Sequence, residues 1–309
     1  MSLAVPGAGV RAGQDAGFDG RTHRWQEWSL ADLRAAKEAS GRTVSLVVPA
    51  RDEAATVGAV VSRVRAALME TVSLLDEIVV IDSDSADDTF AVAEDAGATV
   101  YRSRDIRPDL GTHPGKGEAI WKSLFVTRGD LLVFLDADLV DWDTHFVPGL
   151  LGPLLTSPGI ALVKGFYERD GGRVTELVAR PLIALYFPEL AGLVQPLAGE
   201  WAIRRSLFET LPVPTGYAVE LAALVDTARA LGAGAIAQVH LGRRTHRHQP
   251  LADLGAMAAQ VMAAGLARAT GKPSAGSVRL RPGLLAGGVP VEHARLVPLT
   301  ERPAARFVA

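Results

Sequence analysis

Three short apolar runs, Val44 to Val48, Glu77 to Asp82 and Leu131 to Leu135, each break off into a loop rich in acids. The first stops at Pro49 and continues Ala50-Arg51-Asp52-Glu53. The second opens into Ser83-Asp84-Ser85-Ala86-Asp87-Asp88-Thr89, and the third into Asp136-Ala137-Asp138. Strands with so few polar positions are covered on both faces, which points to a parallel sheet between helices. The intervening segments agree: a helical pattern from Ala54 to Leu68, a helix through about Ala96, a short strand at Thr99–Tyr101, and a helix to about Val126. Ligands of such sheets lie beyond the carboxyl ends of the strands. All three acid-bearing loops fall there, so they define one site.

The flanks are less regular. Residues 1–40 read as a mobile Gly/Ala-rich arm and then a short helix from Ser29 to Glu38, with Ser29 as N-cap. Beyond the third run the pattern predicts a strand at Ile160–Tyr167, helices near Val174–Leu190 and Ala218–Leu231, and a strand near Ala235–Leu241. A long Ala/Met-rich helix follows at Leu251–Arg268, and then a loosely structured Pro/Gly-rich tail beyond Thr270. The division expected is an arm and helix (1–40), a nucleotide-sugar-binding domain (41–165), an acceptor-binding region (166–250) and a C-terminal helix and tail (251–309).

Composition narrows the function. With 309 residues, 48% hydrophobic, the chain has ample material for a large core. A net charge of -3 argues against a nucleic-acid partner. No cysteine is present, which removes disulfides, thiolate metal sites and cysteine nucleophiles, and accords with a cytoplasmic protein. Asp15 and Asp19 interrupt any signal-peptide pattern. The apolar stretch from Pro181 to Gly199 is broken by Pro188, Glu189, Gln195 and Pro196, so no membrane span is expected.

Asp136 and Asp138 offer hard oxygen ligands at a strand end, suited to Mg²⁺ or Mn²⁺ with positions left for substrate phosphates; acid pairs there also serve as helix caps. The Pro49–Glu53 loop serves either as an acidic helix start or as a nucleobase cradle. Asp82 and Ser83 either face a ribose or lead into a cap at Ser85. Lys116, one of five lysines, sits between glycines in Pro114-Gly115-Lys116-Gly117-Glu118, where a cation and free N–H groups suit a diphosphate. Gly172-Arg173-Val174-Thr175 reads as a helix start able to take an anion, or as an ordinary cap. Arg244-Thr245-His246-Arg247-His248 is a basic turn whose His246 could complete a metal shell begun by Asp138.

Taken together the motifs resemble the glucosyl-3-phosphoglycerate and mannosyl-3-phosphoglycerate synthases of actinobacteria, from about Trp28 to about Met262. The resemblance rests on V-V-P-A-R-D-E-A-A-T, I-D-S-D-S-A-D-D-T, P-G-K-G-E-A, F-L-D-A-D-L, G-G-R-V-T-E-L-V-A-R-P-L, Q-P-L-A-G-E, G-Y-A-V-E-L and A-Q-V-H-L-G-R-R-T-H-R. It implies an α/β, glycosyltransferase A-type fold: a Rossmann-like, mostly parallel sheet with helices on both faces and a smaller acceptor-binding half. It also implies a homodimer, and retaining transfer of a hexose from UDP-glucose or GDP-mannose to the 2-hydroxyl of 3-phosphoglycerate. By the same resemblance Pro49, Ala50, Arg51, Glu53 and Ser83 hold the nucleoside, with Lys116 close by. Asp136, Ala137, Tyr217 and Glu220 attend the donor hexose, and the backbone at Leu197 lies near the reacting carbon. Asp138 and His246 bind the metal; Gly172, Arg173 and Thr175, with Arg244 and His248, take the acceptor.

Three departures from the family pattern stand out. The segment from Tyr167 to Gly171 is short, His248 replaces a usual amide, and Arg51 replaces an apolar residue near the base. An arginine there suits guanine O6 and N7, which brings GDP-mannose in beside UDP-glucose. The competing readings are a transferase using a polyprenyl phosphate or polysaccharide, a sugar nucleotidyltransferase, and a binding module without catalysis. The second lacks its Gly-rich signature after the first strand.

Overall fold

The computed structural model describes residues 18–168, 172–244, 251–281, 284–286, 289–291 and 294–308. The predicted mobile arm as far as residue 17, and both His246 and His248, lie outside the described residues.

The chain enters through a short strand, β1 (Thr22–Arg24), and the helix α1 (Leu30–Ser40). Ser29 caps α1 by accepting from the Asp32 N–H, and Gly41 ends it in the left-handed region, as its sequence signals require. Then come β2 (Val44–Ala50), α2 (Val57–Val64), β3 (Glu77–Asp82), α3 (Thr89–Asp95), β4 (Thr99–Arg102), α4 (Lys116–Ser123) and β5 (Leu131–Phe134). The helical reading from Ala54 to Leu68 is realised as α2 followed by a π-helical turn over Arg65–Thr71. After β5 follow α5 (Phe146–Thr156), β6 (Leu162–Glu168), α6 (Arg180–Tyr186), β7 (Trp201–Arg204), α7 (Arg205–Phe208), β8 (Val213–Pro214), α8 (Val219–Leu231), β9 (Ile236–Arg243) and α9 (Leu251–Thr270).

Eight strands form one sheet in the order β1-β9-β6-β7-β5-β2-β3-β4. Every pair is parallel except those made by β7, which runs antiparallel to β5 and β6. Successive side chains of a strand face opposite ways, and the two cores show it. Val47, Val79, Ile81, Leu132 and Phe134 pack on one face with Trp121 of α4 and Leu221 and Leu224 of α8. Leu46, Val48, Val80, Leu131 and Val133 pack on the other with Val57, Val60 and Val61 of α2 and Phe146 and Leu150 of α5. This double covering is what made the strands near-continuously apolar.

The tail beyond Thr270 departs from its expected looseness. It forms the strands β10 (Ser277–Leu280), β11 (Leu284–Ala286), β12 (Val289–Val291), β13 (Arg295–Pro298) and β14 (Glu301–Arg302). β10 pairs with β13, β11 with β12, and β14 returns to pair with β8.

Candidate active site

The loops after β2 and β3 are stitched into one unit. The Ser83 N–H donates to the Ala50 carbonyl (2.8 Å) and the Asp52 N–H to Ser85 Oγ (2.9 Å); Asp52 Oδ1 accepts from the Ala86 N–H (2.7 Å). The Glu53 N–H reaches Thr89 Oγ1 (2.7 Å) and the Ala54 N–H Asp87 Oδ2 (3.1 Å). Asp87 is held below the usual carboxylate range, first by the Thr89 hydroxyl and then by backbone N–H groups. Ser85 bonds the buried Asp82, so that pair secures the turn. Pro49, Ala50, Glu53 and Ser83 thus line one rim, with Arg51 60% exposed and only 3.8 Å from its neighbour Asp52.

The next rim is a cluster of charges. Lys116, at the first position of α4, places Nζ 2.5 Å from Asp136 Oδ1 and 2.8 Å from Glu220 Oε1. Arg244, at the end of β9, sends Nη2 to Asp138 Oδ1 (3.0 Å), while Nη1 lies 3.5 Å from Asp136 Oδ2 and bonds Glu200 and the Tyr167 hydroxyl. Residues 116, 136, 138, 200, 220 and 244 therefore converge from five separate chain segments. Gly199 lets the chain before β7 lie directly against Asp136: a Cβ at Gly199 would overlap that carboxylate. Beneath the cluster, buried Lys164 of β6 donates to the Ala198 carbonyl.

The environment separates these acids. Burial alone would raise Asp136, but Lys116 and Arg244 prevail and hold it at about 2. Asp138 and Glu200 go the other way: burial pushes both up, and Asp136 adds to it. Lys116 and Arg244 both rise; for each, burial is opposed and outweighed by the carboxylates around it. Burial drives Lys164 down to about 8. A fixed anion thus stands at Asp136, with the half-exposed Asp138 carboxylate on the open side.

Among the described residues four carboxylates face two contacting cations here, an acidic excess that suits a divalent metal. Among the described residues no three His, Cys, Asp or Glu side chains assemble a metal shell by themselves. Asp138, half exposed beside Asp136, fits a site in which substrate oxygens complete the coordination. Its expected partner His246 lies outside the described residues.

The other expected residues are distributed as follows. Tyr217 is 46% exposed, just before α8, which carries Glu220 in its first turn. Ala137 is buried, and Leu197 is half-buried two residues before Gly199. Gly172 and exposed Arg173 precede a π-helical turn at Thr175–Ala179 that leads into α6, with Thr175 itself buried. Arg244, expected at the acceptor, is buried inside the acidic cluster, its guanidinium engaged by carboxylates. Glu200 and Lys164 were assigned no role from sequence. Glu200 stood within Q-P-L-A-G-E, but only the β6–β7 register brings it under Arg244.

The chain matches the model of glycosyl transferase family 2 over residues 45–211. It is 49% identical over 263 residues to the glucosyl-3-phosphoglycerate synthase of Mycolicibacterium paratuberculosis, an alignment covering 81% of this chain and 78% of that protein. A crystal structure of the Mycobacterium tuberculosis glucosyl-3-phosphoglycerate synthase in complex with phosphoglyceric acid superposes with a TM-score of 0.83 at 44% identity, covering 93% of this chain and 98% of that one. The same enzyme with Mn²⁺, UDP-glucose and phosphoglyceric acid gives 0.82 at 45% identity, covering 91% and 96%. The expected glycosyltransferase A-type fold is therefore the fold of this chain.

Proposed function

The chain belongs to the family 2 glycosyl transferases, and within them to the glucosyl-3-phosphoglycerate synthases; on that footing we propose that it transfers glucose from UDP-glucose to the 2-hydroxyl of 3-phosphoglycerate, with retention at the anomeric carbon. The observation that carries the reading is the meeting of Asp136 and Asp138, at the carboxyl end of β5, with Lys116 and Arg244.

In this reading Pro49, Ala50, Arg51, Glu53 and Ser83 hold the nucleoside on the stitched rim. Lys116 answers the diphosphate, and its bonds to Asp136 and Glu220 fix where its charge sits. Asp136, Ala137, Tyr217 and Glu220 orient the hexose. Asp138 and His246 would hold a divalent cation, Mn²⁺ or Mg²⁺, which would supply Lewis-acid neutralisation of the leaving diphosphate. Gly172, Arg173 and Thr175 take the phosphate and carboxylate of the acceptor, with Arg244 and His248 as further acceptor contacts. Asp136, Glu200 and Glu220 each carry an ion pair, which favours front-face attack by the acceptor hydroxyl beside the Leu197 backbone over a covalent intermediate. A trapped glycosyl-enzyme adduct would overturn that step.

Arg51 supports a second donor. Its exposed guanidinium is held only loosely by Asp52, so it can meet guanine O6 and N7, and GDP-mannose then serves as well. The reading includes a homodimer, supported by exposed Leu177, Leu185 and Tyr186 along the helical run that ends at α6. The test is a donor panel of UDP-glucose, GDP-glucose and GDP-mannose, each with 3-phosphoglycerate and Mn²⁺. Product from UDP-glucose is expected, and product from GDP-mannose adds the second donor. No product from any of them, with turnover of a polyprenyl phosphate instead, would move the chain to another acceptor.

A further inference from the structure

The tail reaches the far side of the very turn that carries Lys116. Glu118 is buried two residues after Lys116 on α4, and Arg302 of β14 grips both its oxygens, Nε to Oε2 at 2.8 Å and Nη2 to Oε1 at 2.6 Å. The same guanidinium donates to the carbonyls of Leu110 (2.8 Å) and Gly111 (3.0 Å), in the loop leading to Lys116, and lies 4.7 Å over the Trp121 ring. The Trp121 indole N–H in turn donates to the Pro303 carbonyl (2.9 Å).

A second layer repeats the pattern. The Gly117 and Glu118 N–H groups donate to the Gly216 and Thr215 carbonyls, and the Thr215 N–H donates to the Thr300 carbonyl (3.0 Å). A Cβ at Gly117 would overlap the Pro214 carbonyl, so the two turns touch through backbone alone. The Gly216 turn leads through Tyr217 into Glu220, the partner of Lys116. Both ends of the Lys116–Glu220 pair are therefore anchored on the segment 300–303.

We propose that the C-terminal strap is part of the donor site: Arg302 is a positioning residue that sets Lys116 against the diphosphate by clamping Glu118 and the loop before it. This rests on the donor reading above. A bidentate guanidinium is needed because four acceptors in two directions must be met at once.

The test is UDP binding with Mn²⁺ by titration calorimetry, which requires no transfer, alongside 3-phosphoglycerate binding and thermal melting. R302M leaves Glu118 buried without its cation and destabilises the fold. R302M/E118Q removes the lone charge and restores the melting temperature, yet still lacks the clamp. UDP affinity of the double variant is expected to fall about tenfold, a modest share of what misplacing a binding group costs, with 3-phosphoglycerate affinity within about twofold. R302K, which keeps charge without the fork, recovers stability more than UDP affinity. Wild-type UDP affinity in the double variant, equal losses for both ligands, or failure of all three variants to fold would overturn the proposal. Absence of UDP binding by the unaltered protein would instead sink the donor reading.

Discussion

Lys164 gives the sharpest quantitative expectation. It is 1% exposed in the middle of β6, between Trp201 of β7 and Gln238 of β9, and its Nζ donates to the Ala198 carbonyl. Burial lowers it from its usual 10.5 to about 8. Below pH 8 both folded and unfolded chains hold the proton, and the folded state bears the full penalty, about 3 kcal/mol. Between 8 and 10.5 the unfolded chain binds the proton and the folded one does not, so stability rises with pH. Replacing Lys164 by methionine keeps the length, removes that penalty, and leaves the Ala198 carbonyl without its donor at about 1–3 kcal/mol. Near pH 7 the variant should therefore be equal to the wild type or up to about 2 kcal/mol more stable. Urea denaturation at pH 7 and pH 9.5 tests this, because groups common to both proteins cancel in the difference. The stability of K164M relative to wild type should fall by about 2 kcal/mol between the two. A difference independent of pH would refute the buried, proton-shedding lysine. The Ala198 carbonyl precedes Gly199, which lies on Asp136, so K164M should also lower kcat.

Gly199→Ala should crowd the Asp136 carboxylate, costing about 1–3 kcal/mol of stability and about a hundredfold in kcat through displacement of Asp136; unchanged kcat would show that Asp136 has room to move. Asp138→Asn should cut transfer by at least about a hundredfold, with excess Mn²⁺ giving no rescue, and chelation of the wild type should mimic it reversibly; full activity in either case would remove the metal from the reading. Arg173→Ala should raise the KM for 3-phosphoglycerate about tenfold, the worth of one charge-assisted contact, and leave the donor KM within about twofold. The opposite split would reassign Arg173 to the donor.

What was legible in the sequence followed from how the residues are solvated. β2, β3 and β5 are covered on both faces, so their apolar runs announced them, and the acids at their ends could only lie along one edge. α5 escaped because Pro148, Gly149, Gly152 and Pro153 contradict helix propensity. Packing overrides it: Gly152 makes room for the Trp28 ring, and Gly149 lies against Trp25 and Leu241. β1 and β7 escaped because three and four residues carry no readable period, and their pairing is decided by β9, β5 and β6. The same division runs through the site. Asp136, Asp138 and Lys116 sit in loops whose composition alone is unusual, whereas Glu200, Lys164 and Arg302 acquire meaning only from partners 44, 34 and 184 residues away. A buried charge is costly unless a distant group answers it. The charges that local pattern could not explain, inside or just before otherwise apolar strands and in a tail expected to be loose, were therefore the ones tying the site to the rest of the fold.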